Sequence, residues 1–228
     1  MGKRNIEVAI IIPAYNEGAV IHKNLKKVLK RFKYVICIDD GSKDDTLAKM
    51  KKSGVIALGH SMNLGQGASI QTGIDYALTL PVDFFCTFDA DGQHALDDVE
   101  TMLETIKREK LDIVIGSRFL GKVEDIAKSK WLMLKLAVWF SNRTSGLKLT
   151  DTHNGLRVFN RRVAKTIDIQ EPGFQHASEF IEKIAKNKYS YTEVPNTIRY
   201  TNYSKAKGQS MFNAVNIGLD ILFRKVIK

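Results

Sequence analysis

The sequence predicts a Rossmann-like α/β fold, in which helices flank a mostly parallel sheet and further amphipathic helices follow in the C-terminal half. Short apolar runs alternate with helix-length amphipathic segments through the first half of the 228 residues, the pattern of strands and helices in turn. Polar residues cluster directly after three of the apolar runs, at 13–17, 39–42 and 89–93. Ligands of parallel sheets bind at the carboxyl ends of the strands, so these clusters predict one common site.

The first half is expected to contain five strands and four helices. The apolar runs predict strands over residues 8–12, 34–38, 55–58, 83–88 and 112–115. Amphipathic spacing predicts helices over residues 18–32, 46–52, 66–80 and 96–108. Strands that alternate with helices through short connections form parallel sheets covered on both faces.

The regular alternation ends after Gly116. The next segments predict a flexible loop over residues 121–129, a helix over 130–142 and a strand over 155–159. Helices over 161–167 and 177–187 and a strand over 189–194 follow. A last helix is expected from Gln209, where apolar residues recur at helical spacing. A chain of 228 residues can bury one full core, so we expect residues 1–228 to form a single domain, or one domain with an added lobe.

The formal net charge of +10 is concentrated in one part of the chain. Residues 118–165 contain eleven Lys or Arg against three acids. This indicates either a solvated basic face or attraction to an anionic partner, such as nucleic acid, acidic lipid or a phosphorylated ligand. The acidic clusters after the strands would repel a nucleic acid backbone, so we expect no nucleic acid partner.

The sequence has the features expected of a cytoplasmic protein. Residues 1–7 are polar, and no cleavage site follows the first apolar run. Cys37 and Cys86 lie inside apolar runs, where free thiols are commonly buried, and a disulfide is not expected. No stretch reaches the roughly 20 apolar residues that cross a bilayer.

Asp89 and Asp91 are the most informative pair in the sequence. They follow the apolar run over residues 84–88 and are separated by one residue, so both side chains can point the same way. Two carboxylates this close repel each other unless a cation lies between them. Hard oxygen ligands suit Mg²⁺ or Mn²⁺, ions that commonly hold substrate phosphates as well. The structural alternative is an acidic turn that caps the next helix.

Two other clusters have the chemistry of a nucleotide site. Pro13 ends the first strand, and Tyr15 is available to stack on a base. Asp40 can accept a hydrogen bond from a base N–H group, with Asp39 as the second choice. Alternatively, Asp39 and Ser42 only cap the following helix. The glycines at 65 and 67 precede a helix N-terminus, a place that favours phosphate.

In their order and spacing, four motifs resemble family 2 glycosyltransferases with the GT-A fold. They lie at residues 13–17, 39–46, 63–67 and 89–94, within a segment that spans residues 8–118. Residues 116–119 and 151–159 extend the likeness to the polyprenyl-phosphate sugar transferases, such as the dolichol-phosphate mannose synthases. The resemblance implies a nucleotide-sugar-binding half over residues 1–118 and an acceptor- and membrane-facing half over residues 119–228.

The resemblance also implies roles for residues on the donor side. Asp89 would contact the ribose or the metal, Asp91 would bind Mg²⁺ or Mn²⁺, and Gln93 would complete the metal shell. Arg118 would add a positive contact to the diphosphate, unless it is only a surface arginine. The residues implied in donor binding are Pro13, Ala14, Tyr15, Glu17, Asp40, Asp89, Ala90 and Asp91.

The chemistry of the acceptor decides the role of Glu179. A hydroxyl acceptor needs a carboxylate base, and Glu179 stands roughly where such a base falls in the family. A phosphate acceptor is already an anion and needs no strong base, so Glu179 would then only position groups or cap a helix. Contacts with an acceptor phosphate are assigned to Arg143, Arg157, Lys205 and Lys207. No chemical role is assigned to His94 and His153.

These inferences predict metal-dependent transfer of a sugar, with inversion, from a UDP- or GDP-linked donor to a polyprenyl phosphate at the inner face of the membrane. Residues 130–140 place two tryptophans among cations, which suits a helix in the membrane interface, although such a helix can also pack on the core or at a dimer contact. A small integral-membrane partner and a homo-oligomer are left open. The alternatives are a family 2 transferase that acts on a hydroxyl acceptor and a nucleotidyltransferase, which would need a Gly-rich basic loop at residues 13–17.

Overall fold

Seven strands form one sheet in the computed structural model, which describes residues 7–124, 128–173 and 175–199. They are β1 (Val8–Ala14), β2 (Tyr34–Asp39), β3 (Ile56–Gly59), β4 (Phe84–Thr87), β5 (Ile113–Glu124), β6 (Arg157–Asn160) and β7 (Tyr191–Arg199). Their order across the sheet is β3-β2-β1-β4-β6-β5-β7. All pairings are parallel except those of β6, which runs antiparallel to β4 and β5. The predicted mostly parallel sheet is confirmed.

Helices connect the strands and cover both faces of the sheet. They are α1 (Ile21–Leu29), α2 (Thr46–Ser53), α3 (Gln66–Leu78), α4 (Leu96–Glu109), α5 (Lys128–Ser145), α6 (Arg161–Thr166) and α7 (His176–Lys186). The predicted bounds differ by a few residues because local caps set the ends. For example, Gly54 caps the end of α2 and Lys110 caps the end of α4, both in the left-handed conformation that stops a helix.

The central strands divide the apolar side chains between two cores. Along β1, Ile10 and Ile12 face one core while Ala9 and Ile11 face the other, as the twofold period of a strand requires. The first core is completed by apolar residues of α1 and α4, and the second by those of α3, α6 and α7. Burial on both faces explains why the first strands are almost continuously apolar.

The loop predicted over residues 121–129 is wrong for most of its length. β5 continues to Glu124, and α5 begins at Lys128. The pairing of β5 with β7 is irregular between Ser117 and Lys122 and then resumes with Lys122 opposite Thr197. This interruption, of the kind a β-bulge makes, hides the continuation of the strand in the sequence. The helix predicted from Gln209 lies outside the described residues.

The loops that carry the polar clusters meet at one edge of the sheet, here called the carboxyl edge. β1, β2 and β4 end there because they run parallel. β6 is antiparallel, so its first residue, Arg157, lies at this edge opposite Thr87 of β4. The carboxyl edge is therefore formed by residues from both the first and the second half of the chain.

Candidate active site

Asp40 holds the loop between β3 and α3 in place. Its Oδ1 accepts a hydrogen bond from the Leu64 amide at 2.9 Å and lies 2.8 Å from His60 Nδ1. Its Oδ2 accepts from the Gly65 amide at 2.8 Å. Both carboxylate oxygens are thus engaged within the chain, which speaks against the predicted contact of Asp40 with a nucleotide base.

Asp39 is better placed for that contact. It lines a cleft of about 480 Å³ beside the end of β2, together with Ser42, Lys51 and His60. The residue is buried, and its Oδ2 accepts from the Ser42 amide at 3.3 Å. Its Oδ1 has no hydrogen-bond partner among the described residues. A buried carboxylate oxygen without a donor is unfavourable, so an N–H group of a ligand would stabilise it.

The loop after β1 is tied to the loop after β2. The Asn16 amide donates to Ser42 Oγ at 2.8 Å, and the Glu17 amide donates to Thr46 Oγ1 at 2.8 Å. Both bonds fix the rim of the cleft at the carboxyl edge. The other predicted donor-side residues of this loop are Pro13 and Ala14, at the end of β1, and Tyr15, with an exposed side chain.

The N-terminus of α3 does not offer the phosphate site that its glycines suggest. The Gly67 and Ala68 amides both donate to the Pro172 carbonyl, at 2.6 and 3.2 Å. A β-carbon on Gly67 would lie 2.0 Å from the Glu171 carbonyl oxygen. Glycine is therefore needed at position 67 because the backbone of Glu171 and Pro172 packs against the end of α3. The Pro172 carbonyl accepts the hydrogen bonds from the amides that were expected to bind phosphate.

Asp89 is oriented by His94, a residue to which the sequence assigned no role. Asp89 Oδ2 lies 2.8 Å from His94 Nε2, and the His94 side chain is only 2% exposed. Asp89 Oδ1 is 3.5 Å from Gln66 Nε2, and the Asp89 side chain is 32% exposed. Burial alone would raise the pKa of Asp89, but the His94 hydrogen bond and the positive charge of Arg157 lower it. Asp89 is therefore an ionised carboxylate that ligands can reach.

Asp91 lies in a different electrostatic environment. Burial raises its pKa, and the negative charge of Asp89 raises it further. Its Oδ1 accepts from the Gln93 amide at 3.0 Å, and its Oδ2 accepts from the Gln93 side chain. Gln93 is thus hydrogen-bonded to Asp91, and its place in a metal shell stays a prediction. A cation between the two carboxylates would relieve their repulsion.

The donor set fits a magnesium-type ion that shares its ligands with a substrate. Within the described parts of the chain, no three or more His, Cys, Asp or Glu side chains form a metal-binding group. Mg²⁺ is usually bound through one or two carboxylates together with waters and substrate phosphates. The half-buried pair of Asp89 and Asp91 matches this pattern and does not match a closed protein cage.

The family model described as glycosyl transferase family 2 matches residues 9–168, which include the whole carboxyl edge from β1 to β6. The chain belongs to family 2 of the glycosyltransferases. The order and spacing of its motifs had predicted this membership, which is confirmed. The matched segment contains both Asp39 and the Asp89–Asp91 pair, so this glycosyltransferase carries its candidate site within the family region.

Similar proteins include polyprenyl-phosphate sugar transferases. The glycosyltransferase is 34% identical to an uncharacterised protein of Methanocaldococcus jannaschii, over 96% of this chain and 93% of that one. It is 34% identical to the UDP-N-acetylglucosamine–dolichyl-phosphate N-acetylglucosaminyltransferase of Methanococcus voltae, over 95% and 94%. It is 27% identical to the polyprenol monophosphomannose synthase of Mycolicibacterium smegmatis, over 90% and 83%.

Solved structures confirm the GT-A fold. The glucosyl-3-phosphoglycerate synthase of Mycobacterium tuberculosis superposes with a TM-score of 0.71 at 15% identity, over 95% of this chain and 78% of that one. Another crystal structure of that enzyme, in complex with Mg²⁺ and uridine diphosphate, gives a TM-score of 0.65 at 14% identity, over 88% and 74%. At these identities the likeness concerns the fold alone.

Arg118 of the glycosyltransferase is buried in an ion pair. Its Nε lies 2.6 Å from Asp151 Oδ2, and its terminal nitrogen donates to the His153 carbonyl at 2.9 Å. Asp151 in turn accepts from the Arg118 amide at 3.1 Å. The alternative of a surface arginine is wrong. Arg118 anchors the loop that precedes β6, and its contact with a diphosphate stays a prediction.

Glu179 lies in the first turn of α7, where it caps a neighbouring loop. Its carboxylate accepts from the amides of Gln170 and Glu171, at 2.9 and 2.8 Å, and pairs with Lys183 at 2.9 Å. These contacts give Glu179 a structural role, although the amides that it caps belong to a loop and not to a helix, and its part in catalysis stays a prediction. A base would have to give up these partners, so the geometry favours an acceptor that needs no base.

Of the four residues assigned to the acceptor phosphate, only Arg143 and Arg157 lie in the part of the chain that the structure describes. Arg157 is fully buried, with 1% exposure, and cannot meet a surface phosphate in this conformation, so this assignment needs correction. Arg143 is exposed near the end of α5. Lys205 and Lys207 lie outside the described residues. For Arg143 and the two lysines, the acceptor role stays a prediction.

Sequence reasoning missed Gly155 as part of the site. Its backbone packs against Asp89, where a β-carbon would lie 2.8 Å from both carboxylate oxygens. Thr87 Oγ1 donates to the Gly155 carbonyl at 2.6 Å and fixes this approach. The sequence offered one signal, a glycine inside the polar segment before β6, but the contact joins residues 66 positions apart and depends on the antiparallel course of β6.

Proposed function

We propose that this glycosyltransferase transfers a sugar from a nucleoside diphosphate sugar to a polyprenyl phosphate. The observation that carries the proposal is the pair of carboxylates at the carboxyl edge, next to a cleft with an unpaired buried oxygen. Gln66 lies between the cleft and the carboxylate pair. It follows Gly65, whose amide is bound by Asp40, and its side chain extends toward Asp89. A single ligand with a base and a diphosphate could place the base in the cleft and the diphosphate, with its metal ion, at the carboxylate pair.

The cleft is proposed to hold the nucleoside. An N–H group of the base would donate to Asp39 Oδ1, which has no donor among the described residues, and Tyr15 at the rim would stack on the ring. The diphosphate would then extend along the edge toward Asp89 and Asp91. The donor in the name of the Methanococcus voltae relative is UDP-N-acetylglucosamine, which carries both a base and a diphosphate.

Asp91 and Asp89 are proposed to hold Mg²⁺ or Mn²⁺, with Gln93 supporting Asp91. When bound, such an ion offsets the negative charge that develops on the departing nucleoside diphosphate. His94 keeps the Asp89 carboxylate in its rotamer through the 2.8 Å contact. Buried Arg118 positions the loop that carries Gly155 against Asp89, through its pair with Asp151.

The acceptor is proposed to be a lipid phosphate. Its oxygen would attack the anomeric carbon as the bond from that carbon to the diphosphate breaks, which inverts the configuration. The attacking oxygen is already ionised, so no residue has to remove a proton. This agrees with Glu179, whose carboxylate is engaged with two amides and Lys183. Arg143, Lys205 and Lys207 remain the proposed phosphate contacts.

The outer face of α5 is proposed to dock on the cytoplasmic leaflet. Trp131, Leu132, Leu136 and Trp139 are 44–66% exposed and share one side of the helix by their spacing. The ammonium of Lys135 lies among them, 4.0 Å from the centre of the Phe119 ring, and mixed aromatic and cationic faces suit the membrane interface. No described helix is long and apolar enough to span a bilayer. An integral-membrane partner and a homo-oligomer are proposals of the same kind.

The test measures release of nucleoside diphosphate from a panel of UDP- and GDP-sugars, with and without short-chain polyprenyl phosphate, in Mg²⁺ or Mn²⁺. We expect one donor to be turned over only when the lipid phosphate is present, and Asp91→Ala to abolish the release. A matched control is Asp97→Ala, because Asp97 is an exposed acid on α4 whose ion pair with Arg31 lies on the surface. Turnover with a hydroxyl acceptor but not with the lipid would contradict the proposal.

A further inference from the structure

We propose that Glu193 is a positioning residue for the donor site, because it fixes the loop over residues 150–156 that packs against the Asp89 carboxylate. Glu193 lies on β7, and β6 and β5 separate that strand from β4, after which Asp89 follows. The inference rests on the proposed function, since Asp89 belongs to the proposed donor site. One arm of its test uses no ligand, so the failure of this inference can be told from the failure of the proposed reaction.

Both carboxylate oxygens of Glu193 accept hydrogen bonds from the start of this loop. Oε2 accepts from the Thr150 amide at 2.7 Å, and Oε1 accepts from the Asp151 amide at 2.9 Å and from Thr150 Oγ1 at 3.0 Å. Glu193 is half-buried, and hydrogen bonds to a carboxylate are stronger than those between neutral groups. Three donors on one side chain therefore hold the start of the loop in a single position relative to β7.

The hydrogen bonds continue along the loop from Asp151 to Leu156. Asp151 Oδ2 accepts from the Arg118 amide at 3.1 Å and from Arg118 Nε at 2.6 Å, which joins the loop to β5. Asn154 Nδ2 donates to Asn196 Oδ1 at 3.0 Å, and Asn154 Oδ1 accepts from the Leu156 amide at 3.0 Å. Because Asn196 also belongs to β7, the loop is tied to that strand at two points.

The loop transmits this constraint to the donor site through Gly155. A β-carbon on Gly155 would lie 2.8 Å from both carboxylate oxygens of Asp89, and the Gly155 carbonyl accepts from Thr87 Oγ1 at 2.6 Å. Close-packed groups transmit small displacements, so a loop released at its start would no longer hold the carboxylate in place. Glu193 therefore acts on Asp89 without touching it.

Asp112 provides a matched control at the other end of the same strands. It precedes β5 and accepts from the Ser190 amide at 3.0 Å and from Ser190 Oγ at 3.1 Å, just before β7. Like Glu193, it is a carboxylate that joins neighbouring segments through an amide hydrogen bond, but it lies away from the carboxyl edge. Glu193→Gln and Asp112→Asn should each lower the Tm by roughly 3–6 °C, whereas only Glu193→Gln should change the donor site.

The first measurement compares the backbone amide signals of the ligand-free proteins by NMR. We expect Glu193→Gln to shift the signals of residues 150–156 and, through Gly155, those of residues 87–91. Asp112→Asn should leave both sets in place. Unchanged signals of residues 87–91 in Glu193→Gln would overturn the proposal, because the loop would then have no influence on the segment that carries Asp89.

The second measurement is the affinity for UDP or GDP in the presence of Mn²⁺, determined by calorimetry. It should fall about tenfold in Glu193→Gln, as is usual when the groups that orient a metal-site ligand are lost, and should keep the wild-type value in Asp112→Asn. Equal losses of affinity in the two variants would identify lower stability as the cause and overturn the proposal. If the wild type binds neither nucleotide, the proposed reaction fails, while the amide signals still decide the role of Glu193.

Thr150→Val is the milder variant that decides the case if Glu193→Gln does not fold. It removes the hydroxyl that donates to Glu193 and lies 2.6 Å from Ser117 Oγ, but it keeps both amide hydrogen bonds to Glu193. We expect smaller shifts of the same amide signals and a smaller loss of affinity. The absence of any shift at residues 87–91 in Thr150→Val would then overturn the proposal.

Discussion

The backbone of Gly155 lies against the carboxylate of Asp89, so close that a β-carbon would stand 2.8 Å from both oxygens. The contact joins the segment before β6 to the loop after β4 and is reinforced by the 2.6 Å hydrogen bond from Thr87 to Gly155. The donor site is therefore assembled from both halves of the chain, and its geometry depends on the absence of a side chain at position 155.

Gly155→Ala should impair donor binding more than it impairs folding. The added methyl group must displace Asp89, so we expect affinity for nucleoside diphosphate with Mn²⁺ to fall by about tenfold or more, measured by calorimetry, and stability to fall by about 1–3 kcal/mol. Gly59→Ala is the control, because its β-carbon would meet its nearest neighbour at an ordinary 3.6 Å. Unchanged affinity in Gly155→Ala would show that Asp89 is not held by this contact.

Asp39 and Asp40 are adjacent but should respond differently to replacement by asparagine. Asp40→Asn replaces one accepting oxygen by an NH2 group, which would face a donor, the amide of Leu64 or of Gly65, so stability should fall by about 1.5–3 kcal/mol. Asp39→Asn should lower nucleotide affinity about tenfold with a smaller loss of stability, because Asp39 Oδ1 has no hydrogen-bond partner in the part of the chain that the structure describes. Urea unfolding and nucleotide calorimetry on both variants measure the difference. The reverse pattern would return the base contact to Asp40.

Glu179→Gln separates the two classes of acceptor. Its carboxylate accepts from the Gln170 and Glu171 amides, so we expect a loss of about 1–2 kcal/mol of stability and less than a tenfold loss of turnover with a lipid phosphate. Lys183→Met, which removes the 2.9 Å ion pair with Glu179 and leaves the carboxylate, is the matched control. A near-total loss of turnover in a stably folded Glu179→Gln protein would instead identify Glu179 as a base.

Asp112 should contribute to stability in a pH-dependent way. Burial alone would raise its pKa, but hydrogen bonds from Asn160, Ser190 and Arg162 outweigh that effect and lower it. Because the folded pKa lies below the unfolded value of about 3.9, the contribution is complete above about pH 4 and is lost as the pH falls through the folded pKa.

Asp112→Asn checks this sign. The variant should be less stable than the wild type at pH 7, and the difference should shrink at about pH 3 and below, as measured by urea unfolding. The carboxylate joins the starts of β5 and β7, because it accepts from the Ser190 amide at 3.0 Å, so the loss concerns the edge of the sheet far from the donor site. A constant difference between the two proteins at all pH values would contradict the assignment.

Local pattern predicted most of the fold. The first four strands and the helices between them have strong periods and short connections, and each is found within a few residues of its predicted bounds. The end of β5 was missed because its pairing with β7 is interrupted and then resumes at Lys122. That pairing depends on residues about 75 positions later in the chain, and no local period reveals it.

The sequence predicted the residues of the candidate site from their chemical type, and the structure changed some of these assignments by showing which side chains are buried or already hydrogen-bonded. Asp89, Asp91 and Gln93 lie close together in the structure. An arginine is normally expected at the surface, and the sequence does not show that Arg157 is buried against the ring of Phe180. Likewise, only the tertiary fold shows that the oxygens of Asp40 are taken by the loop before α3, which leaves Asp39 for a ligand.

The Pro172 carbonyl links the start of α3 to the segment before α7 through backbone hydrogen bonds. The Gly67 and Ala68 amides hold that carbonyl, and Pro172 belongs to the segment that leads into α7. A tilt of α7 that carries this segment must either break the two hydrogen bonds or pull the start of α3 along. The same end of α3 follows Gly65, which Asp40 holds. A movement of this segment would therefore reach Asp40, the neighbour of Asp39 in the cleft, through hydrogen bonds and without any change in the sheet.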